Sequence, residues 1–571
     1  MTGEILGVIV IFLLTILLAW PLGKYISKVF KGERTFTDFL NPFEKLIYRI
    51  SGIDPGENMN WKQFLKSMLT INLLWLVYAM FLLIYQDKLP FNPDGNPGQT
   101  PDLAFNTAIS FLVNCNLQHY SGESGLTYFT QLLVVTFLQF LSAATGIACV
   151  VALFRGLMEK TTNNLGNFWV YLVKSTTRIL LPISIIMAVI LAFNGTPTSY
   201  DGKDSIVTVQ GDSVQVSRGP AAGMIAIKQV GTNGGGWFGA NSAHPLENPN
   251  YLTNAVETIT IFLIPVAIVF ALGFYLSRKK LAWTIFGVMT FFCVIFIVIN
   301  TYYETKGNPA IDKIGVAQHL GSMEGKEIRI GSAATALWSV VTTSTSNGSV
   351  NGMHDSLTPI SGGIVMIDMW INSLYGGVGV GLLNYFIFII VAVFIAGLMV
   401  GRTPEFMGHK VEGREVKIAM IVTLLSAILV KGFTAYAAYM YVHHPDIDWA
   451  VKPSAWLNNP SYHGFSEMLY EYSSANANNG SGFEGLGDNN IFWNVTTGIV
   501  LIIGRYLPII GPIAIVGLLA NKKYIPESPG TLRTDSITFG IMTIAVIVIV
   551  TALSFFPPMV LGPVAEYFSL Y

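Results

Sequence analysis

The chain has 571 residues, of which 52% are hydrophobic and only 12% are charged, and its formal net charge at pH 7 is -1. Soluble domains carry about 25% charged residues, so this chain has too few charges to cover the polar surfaces that a soluble protein of its length needs. The near-neutral charge gives no indication of nucleic-acid binding, and the composition predicts a membrane protein.

Ten segments contain about 20 mainly apolar residues, the length that a membrane-spanning helix requires. They lie at approximately 4–25, 64–85, 127–154, 170–193, 252–276, 281–300, 378–400, 417–440, 492–518 and 535–556. The first segment lacks the basic start and the cleavage site of a signal peptide, so we expect a retained helix, with a cleaved signal as the alternative. Segments 127–154 and 492–518 are long enough to predict a tilt or a break.

Basic residues predict the orientation of these segments. Most of the 33 Lys and Arg residues fall on one side, in loops and helix ends near 24–66, 155–178, 278–280, 402–417 and 522–533. Because positively charged loops stay in the cytoplasm, this side is predicted to be cytoplasmic. Both termini are then predicted to be extracytoplasmic.

Four long loops on the other side contain semi-apolar stretches that are too short to cross a bilayer, at 103–118, 223–236, 332–349 and 463–481. A stretch of this length that returns to its own side is typical of a re-entrant pore helix followed by a filter. Two spanning segments separate successive stretches, which predicts four repeats of one module. The predicted divisions are an N-terminal helix and loop at 1–61, pore repeats at 62–157, 168–276, 281–401 and 416–520, and a C-terminal helix at 530–571.

Each stretch ends in small polar residues. The four tips contain Asn114-Cys115-Asn116, Thr232-Asn233-Gly234, Ser346-Asn347-Gly348 and Asn478-Asn479-Gly480. Potassium filters replace an ion's water with rings of backbone carbonyls, and this backbone lies outside ordinary helix and strand geometry, which Gly and Asn tolerate. The absence of Asp and Glu from these tips favours a monovalent ion over a divalent one. A surface turn is the alternative for any single tip, but four tips at one architectural position favour a pore.

Charged residues near the pore have two interpretations each. Arg505 lies inside segment 492–518, and a charge at membrane depth usually faces a cavity or a partner. We predict that Arg505 lies below the filter and acts in gating or coupling, with a structural ion pair as the alternative. Six acids near the tips either attract cations to the pore mouth or are solvated loop residues: Glu123, Glu247, Asp355, Glu467, Glu471 and Glu484.

No feature of the sequence predicts ATP chemistry in this chain. It contains no G-x-x-x-x-G-K-[ST] phosphate loop. The run Asp312-Lys313-Ile314-Gly315 lacks the Thr of an aspartyl-phosphate motif and lies in an outer loop. A membrane enzyme acting on lipid is a further alternative, but it would need clustered carboxylates or His at the membrane face, where the tips offer amides, hydroxyls and glycines. We therefore expect no cofactor.

The chain resembles, from end to end, the A-subunit family of the Kdp potassium-transporting ATPases of prokaryotes. The resemblance rests on residues 231–249 (GTNGGGWFGANSAHPLENP), 342–356 (TTSTSNGSVNGMHDS), 392–405 (AVFIAGLMVGRTPE), 106–131 and 474–481. It implies an all-α polytopic fold of about ten transmembrane helices, with four M1–P–M2 pore-loop repeats around a pseudo-fourfold axis. It also implies a prokaryotic cell membrane as the location.

The resemblance further implies that the chain binds extracellular potassium, as the transported ion, and passes it sideways into the membrane part of an ATP-driven uptake complex. The implied partners are the catalytic Kdp B subunit, which hydrolyses ATP, the Kdp C subunit and a small F subunit. A stand-alone potassium channel or transporter of the Trk/Ktr type is the alternative.

Family filter positions match residues of all four tips, with Gln118 bordering the filter, Arg505 beneath it and Arg402 in a cytoplasmic segment. The matching tip residues are Asn114, Asn116, Thr232, Asn233, Gly234, Ser346, Gly348, Asn478, Asn479 and Gly480. The chain departs from the family pattern at four positions, with Cys115 in place of Thr, Leu117 in place of Trp, Asn347 in place of Cys and Asn372 where Glu can occur.

Overall fold

The computed structural model describes residues 2–401, 403–526 and 533–570. Within these ranges, ten helices are long and apolar enough to cross a membrane, which confirms the predicted number. We number them spans 1 to 10: Thr2–Lys31, Trp61–Ile84, Tyr128–Met158, Phe168–Phe193, Tyr251–Tyr275, Lys279–Lys306, Val380–Val400, Gly413–His443, Ile491–Ala520 and Ile537–Leu570. Each span overlaps its predicted segment.

Side-chain caps and local irregularities shape these helices. Asn60, Asn250 and Asn490 precede spans 2, 5 and 9, and each accepts a hydrogen bond from backbone N–H groups of the first turn. These groups would otherwise lack partners. Spans 3, 4 and 10 each contain one π-helical stretch, at Gln131–Thr136, Ser175–Leu180 and Val560–Val564.

Four shorter helices lie between the spans, one in each of the long loops. We call them pore helices 1 to 4: Pro101–Leu112, Ala221–Val230, Ser332–Ser344 and Tyr462–Ala477. Each packs against the span that precedes it, and their side chains are mostly buried. Backbone that only partly crosses a membrane is tolerated where protein surrounds it, as here.

The third repeat contains a helix that the sequence analysis did not identify. Pro359–Ile371 is a buried apolar helix that ends at Asn372, whose φ is +44°. Residues 372–379 then run irregularly to span 7, and we call them the intramembrane loop. At 13 residues, the helix falls below the length of a spanning segment, so a search for spans does not find it.

Span 1 lies beside the repeats and packs along span 5. A methyl group on Gly23 would lie 2.6 Å from the carbonyl oxygen of Ala267, so glycine permits this close approach of two helix backbones. Large apolar side chains such as Leu17, Phe193 and Leu553 are exposed on the outer faces of the spans. In a bilayer, these faces would contact lipid.

The remaining elements are short. In the described residues, strands form two antiparallel hairpins, Asp204–Val207 with Ser213–Val216 and Glu405–Phe406 with His409–Lys410. The short helices and turns are Phe36–Leu40, Asn41–Ile50, Gln86–Lys88, Gly122–Gly125, Asn241–Ala243, Pro309–Lys313, His354–Ser356, Asp448–Ala450 and Pro453–Ala455.

The helix Asn41–Ile50 is anchored to span 4 by a buried ion pair. Arg178 Nε lies 2.6 Å from Glu44 Oε1, and Arg178 Nη2 lies 2.7 Å from Glu44 Oε2. Arg178 Nη1 also donates to Asp38 Oδ1 at 2.9 Å. The planar guanidinium thus binds both oxygens of the Glu44 carboxylate, which is the strongest geometry for this ion pair.

We expect Arg178→Met to destabilise the protein, since Glu44 is only 2% exposed and would remain as an uncompensated charge, at a cost of about 3–5 kcal/mol. The double variant Glu44→Gln/Arg178→Met leaves no such charge and should regain most of the loss. The measurement is the thermal unfolding midpoint in detergent, with the exposed Arg49→Met as the control. A single variant as stable as the double variant would contradict this account.

Candidate ion-binding site

Each pore helix is followed by three residues that we call a filter segment. Filter segments 1 to 4 are residues 114–116, 232–234, 346–348 and 478–480, and each has a first, a second and a third position. They contain all the tip residues that the sequence analysis assigned to the filter. All of these residues except the partly exposed Gly480 are buried.

The backbone alternates in the same way in all four filter segments. The first positions have φ of +62°, +47°, +50° and +51° at Asn114, Thr232, Ser346 and Asn478. The third positions have φ of +60°, +83°, +78° and +102° at Asn116, Gly234, Gly348 and Gly480, whereas none of the second positions has a positive φ. Potassium filters replace an ion's water with backbone carbonyl oxygens, and such a backbone lies outside ordinary helix and strand geometry, as it does here.

A shared hydrogen bond holds each filter segment on its pore helix. In every repeat, the backbone N–H of the second position donates to a carbonyl oxygen five residues earlier in the chain. The pairs are Cys115 to Ser110 at 3.0 Å, Asn233 to Lys228 at 2.8 Å, Asn347 to Thr342 at 2.9 Å and Asn479 to Ser474 at 2.9 Å. The four repeats therefore present the same local structure despite their different sequences.

The four filter segments meet in a ring. A methyl group on Gly234 would overlap the carbonyl oxygen of Asn347, one on Gly348 would overlap that of Asn479, and one on Gly480 would overlap that of Cys115. Between segments 1 and 2, the Asn114 amide donates to the Thr232 carbonyl at 2.9 Å. Each segment thus touches the next, and the ring closes from the fourth segment to the first.

Amide side chains brace this ring. Asn347 Nδ2 donates to the Lys228 carbonyl at 3.3 Å, and Asn479 Nδ2 donates to the Thr342 carbonyl at 2.9 Å. Both acceptors belong to the pore helix of the preceding repeat. These two side chains therefore join neighbouring repeats.

Gln118 borders the ring on its loop side. Its Oε1 accepts a hydrogen bond from the Gly236 N–H at 2.7 Å, and its Nε2 donates to the Gly236 carbonyl at 3.1 Å. A cavity of about 310 Å³ opens here and is lined by residues of filter segments 1, 3 and 4, including Asn116, Gly348 and Gly480. This cavity provides an entrance to the ring.

Several acids near the ring are paired rather than solvated. Glu247 forms an ion pair with Lys228, and both side chains are fully buried. Glu471 Oε1 lies 3.1 Å from His119 Nε2. Burial alone would lower the pKa of His119, but the charges of Asp488 and Glu471 raise it to about 9. The interpretation of Glu247 and Glu471 as solvated loop residues is therefore wrong.

The intramembrane loop closes the opposite end of the ring. The Val378 N–H donates to the Thr232 hydroxyl at 2.9 Å, and the Ser346 hydroxyl donates to Asn372 Oδ1 at 3.3 Å. A methyl group on Gly377 would lie 3.8 Å from Asn114 Nδ2. The loop thus contacts the first positions of filter segments 1, 2 and 3, at the end of the ring away from Gln118.

Arg505 lies beside this loop. Methyl groups on Gly377 and on Gly146 would each lie 3.5 Å from its guanidinium nitrogens. The side chain is 3% exposed, and its Nη2 has no hydrogen-bond partner within the described part of the chain. Among the described residues no salt bridge includes Arg505, so the structural ion pair considered as its alternative role is not observed there. The other predicted arginine, Arg402, lies outside the described residues.

The intramembrane loop is the part of this site that the sequence analysis missed. Its signal was the glycine-rich run at 376–381 (GGVGVG) directly before an apolar segment. Such a run marks irregular backbone, but the contact of Val378 with Thr232, 146 residues away in the chain, has no local signature.

Comparisons with known proteins identify the family of this chain. A family model described as "Potassium-transporting ATPase A subunit" matches residues 9–568. A "Potassium-transporting ATPase potassium-binding subunit" of Bacteroides thetaiotaomicron is 61% identical over 570 residues, and one of Flavobacterium johnsoniae is 61% identical over 573 residues, with 100% of both chains covered in each case.

A solved structure, the potassium transporter TrkH from Vibrio parahaemolyticus, matches with a TM-score of 0.50 at 15% identity, covering 89% of this chain and 97% of that one. At this identity the match concerns the fold alone. The family model and the relatives cover almost the whole sequence, and the chain belongs to the potassium-transporting ATPase A-subunit family.

Proposed function

We propose that this chain binds potassium in the ring of filter segments and is the potassium-binding subunit of a Kdp-type uptake complex in a prokaryotic cell membrane. The observation that carries the proposal is the repeated left-handed backbone at the first and third positions of all four segments. Curated relatives at about 60% identity are named as potassium-binding subunits, which supports the same ion.

The chemistry of the ring suits a monovalent cation. The third positions are Asn116 and three glycines, and no position of a filter segment carries a carboxylate. Divalent sites use carboxylates, whereas neutral carbonyl oxygens suit a weakly hydrated ion. Each pore helix also directs its C-terminal end toward its filter segment, where the helix dipole favours a cation. Potassium is the transported ion, and the proposal includes no cofactor.

Transport beyond the ring needs partners. Because the intramembrane loop and Arg505 lie at the end of the ring away from its entrance, we infer that potassium leaves sideways into the membrane part of a Kdp B subunit, which hydrolyses ATP. A Kdp C subunit and a small F subunit complete the proposed complex. The ring would face outward and both chain termini would be extracytoplasmic, since most Lys and Arg residues lie in the loops on the other side.

A stand-alone potassium channel or transporter would use the same ring. The TrkH match supports a shared fold, but the whole-length family match favours the complex over this alternative.

The ring predicts the effect of an acidic substitution at its glycines. Gly234→Asp and Gly348→Asp place a side chain where even a methyl group would overlap the next segment. We expect potassium-dependent uptake to lose affinity at least about tenfold, equivalent to about 1.4 kcal/mol, or to lose selectivity against rubidium and ammonium.

The measurement is uptake by cells that lack other high-affinity potassium systems. The control is Gly223→Asp, on the exposed side of pore helix 2, where a methyl group meets nothing within 4 Å. Unchanged potassium affinity in both filter variants would count against the ring as the binding site.

Arg505→Ala tests coupling at the closed end of the ring. Removing this buried cation should leave potassium binding in place but lower the potassium transported per ATP hydrolysed, because the electrostatic barrier beneath the ring is lost. Arg505→Lys should retain part of the coupling. The measurement compares ATP hydrolysis with rubidium uptake in proteoliposomes, and unchanged transport in Arg505→Ala would remove the proposed role.

Purification tests the complex itself. Affinity purification of the tagged chain from its native membrane in mild detergent should recover an ATPase subunit that forms an aspartyl-phosphate, together with two smaller membrane proteins. Recovery of the chain alone, with potassium uptake independent of ATP, would favour the stand-alone transporter.

A further inference from the structure

A second cluster of ionisable side chains lies outside the ring and has no part in the proposed function. Asp355 lies on the turn His354–Ser356 that follows filter segment 3, and His463 and Glu467 lie in the first two turns of pore helix 4. Glu566 lies on the C-terminal helical turn Ala565–Leu570. We call these four residues the carboxylate–histidine cluster.

Ligand atoms of this cluster converge on a small volume. The imidazole of His463 and one carboxylate oxygen each from Asp355 and Glu467 all lie within 4.8 Å of one another. His463 Nε2 is 2.9 Å from Asp355 Oδ1, and His463 Nδ1 is 2.8 Å from Glu566 Oε1. A metal-binding His in proteins commonly donates its other ring N–H to a carboxylate, which here is Glu566.

Glu467 is not satisfied by its protein neighbours. Its side chain is 0% exposed, and its Oε2 has no hydrogen-bond partner among the described residues. Its Oε1 accepts a hydrogen bond from the Asn459 N–H at 3.2 Å. A buried carboxylate is costly unless it is neutralised or coordinates a metal, and the Oε2 atom of Glu467 is available to a cationic ligand.

Glycine leaves space between the carboxylates. A methyl group on Gly485 would lie 2.7 Å from both Asp355 Oδ2 and Glu467 Oε1, so any larger residue would fill the gap. A neighbouring cavity of about 480 Å³ is lined by Asp355, His463 and Glu566 and provides a path from solvent.

Protein cations do not balance this group of acids. Glu484 also reaches the cluster and accepts the Asp355 N–H at 3.1 Å. Lys326, which lies near Ser356, is already paired with Glu304 at 2.9 Å.

We propose that Asp355, His463 Nε2 and Glu467 bind a divalent transition-metal cation, with Zn²⁺ as the best match, and that Glu566 orients the imidazole. Imidazole nitrogen and carboxylate oxygen are both ligand types of Zn²⁺, and a zinc site with three protein ligands keeps an open fourth position, whereas Mg²⁺ and Ca²⁺ prefer oxygen ligands alone. The metal takes the place of the proton on Nε2, and it ties the turn after filter segment 3 to pore helix 4 and the C-terminal helix.

The purified complex, treated with a chelator and dialysed, is titrated with ZnCl₂ by calorimetry, and the bound metal is then counted by mass spectrometry. We expect wild type to bind one Zn²⁺ ion that His463→Gln and Glu467→Gln fail to bind. The control His319→Gln changes an exposed His and should match wild type. Glu566→Gln should weaken binding about 10–100-fold, as the loss of such an orienting partner does in other sites.

Protons provide an independent readout on the wild-type protein. Because Zn²⁺ displaces the proton of His463, the apparent heat of binding at pH 7.5 should change with the ionisation enthalpy of the buffer, and affinity should rise with pH. No Zn²⁺ binding by wild type, equal binding by His463→Gln, or a preference for Mg²⁺ or Ca²⁺ would each overturn the proposal. None of these outcomes bears on potassium uptake, so the proposed function is tested separately.

Discussion

The structure depends on one requirement of the backbone in the filter segments. The first and third residues of each segment, eight in all, must hold a left-handed conformation. At the same time, each segment must lie in contact with the next segment of the ring. Glycine meets both conditions at Gly234, Gly348 and Gly480, where a side chain would overlap the next segment. Asn tolerates left-handed backbone better than most residues, which accounts for Asn114, Asn116 and Asn478. Thr232 and Ser346 are less tolerant, and both are held by hydrogen bonds to the intramembrane loop.

The surrounding scaffold supplies the restraint that holds this backbone. The N–H of each second position donates a hydrogen bond to its own pore helix. In segments 3 and 4, the side chains of Asn347 and Asn479 also donate to the pore helix of the preceding repeat. The second position is therefore held in place by these hydrogen bonds. This explains why Cys115, which departs from the family pattern, fits the ring. Its N–H makes the same hydrogen bond as those of Asn233, Asn347 and Asn479, and its carbonyl meets a third-position glycine as those of Asn347 and Asn479 do.

The spans, the pore helices and the tips could be predicted from the sequence, because each has a local signature of length, apolarity or small polar residues. The divisions between repeats stay a prediction.

The intramembrane loop and the Glu247–Lys228 pair were not predicted, because they depend on contacts between distant parts of the chain. The same holds for the carboxylate–histidine cluster, in which Asp355 and His463 are 108 residues apart. The helix Pro359–Ile371 was missed for a different reason, since at 13 residues it is too short for a span.

The central claim is that backbone oxygens of four re-entrant segments surround a single ion on one axis. It is tested most directly by electron microscopy maps of the purified complex, recorded once in potassium and once with sodium as the sole alkali cation. The account predicts density on the axis between the carbonyl oxygens of the filter segments in potassium, and its loss or displacement in sodium. Filter segments that lie apart in solvent, with no density between them in potassium, would contradict it.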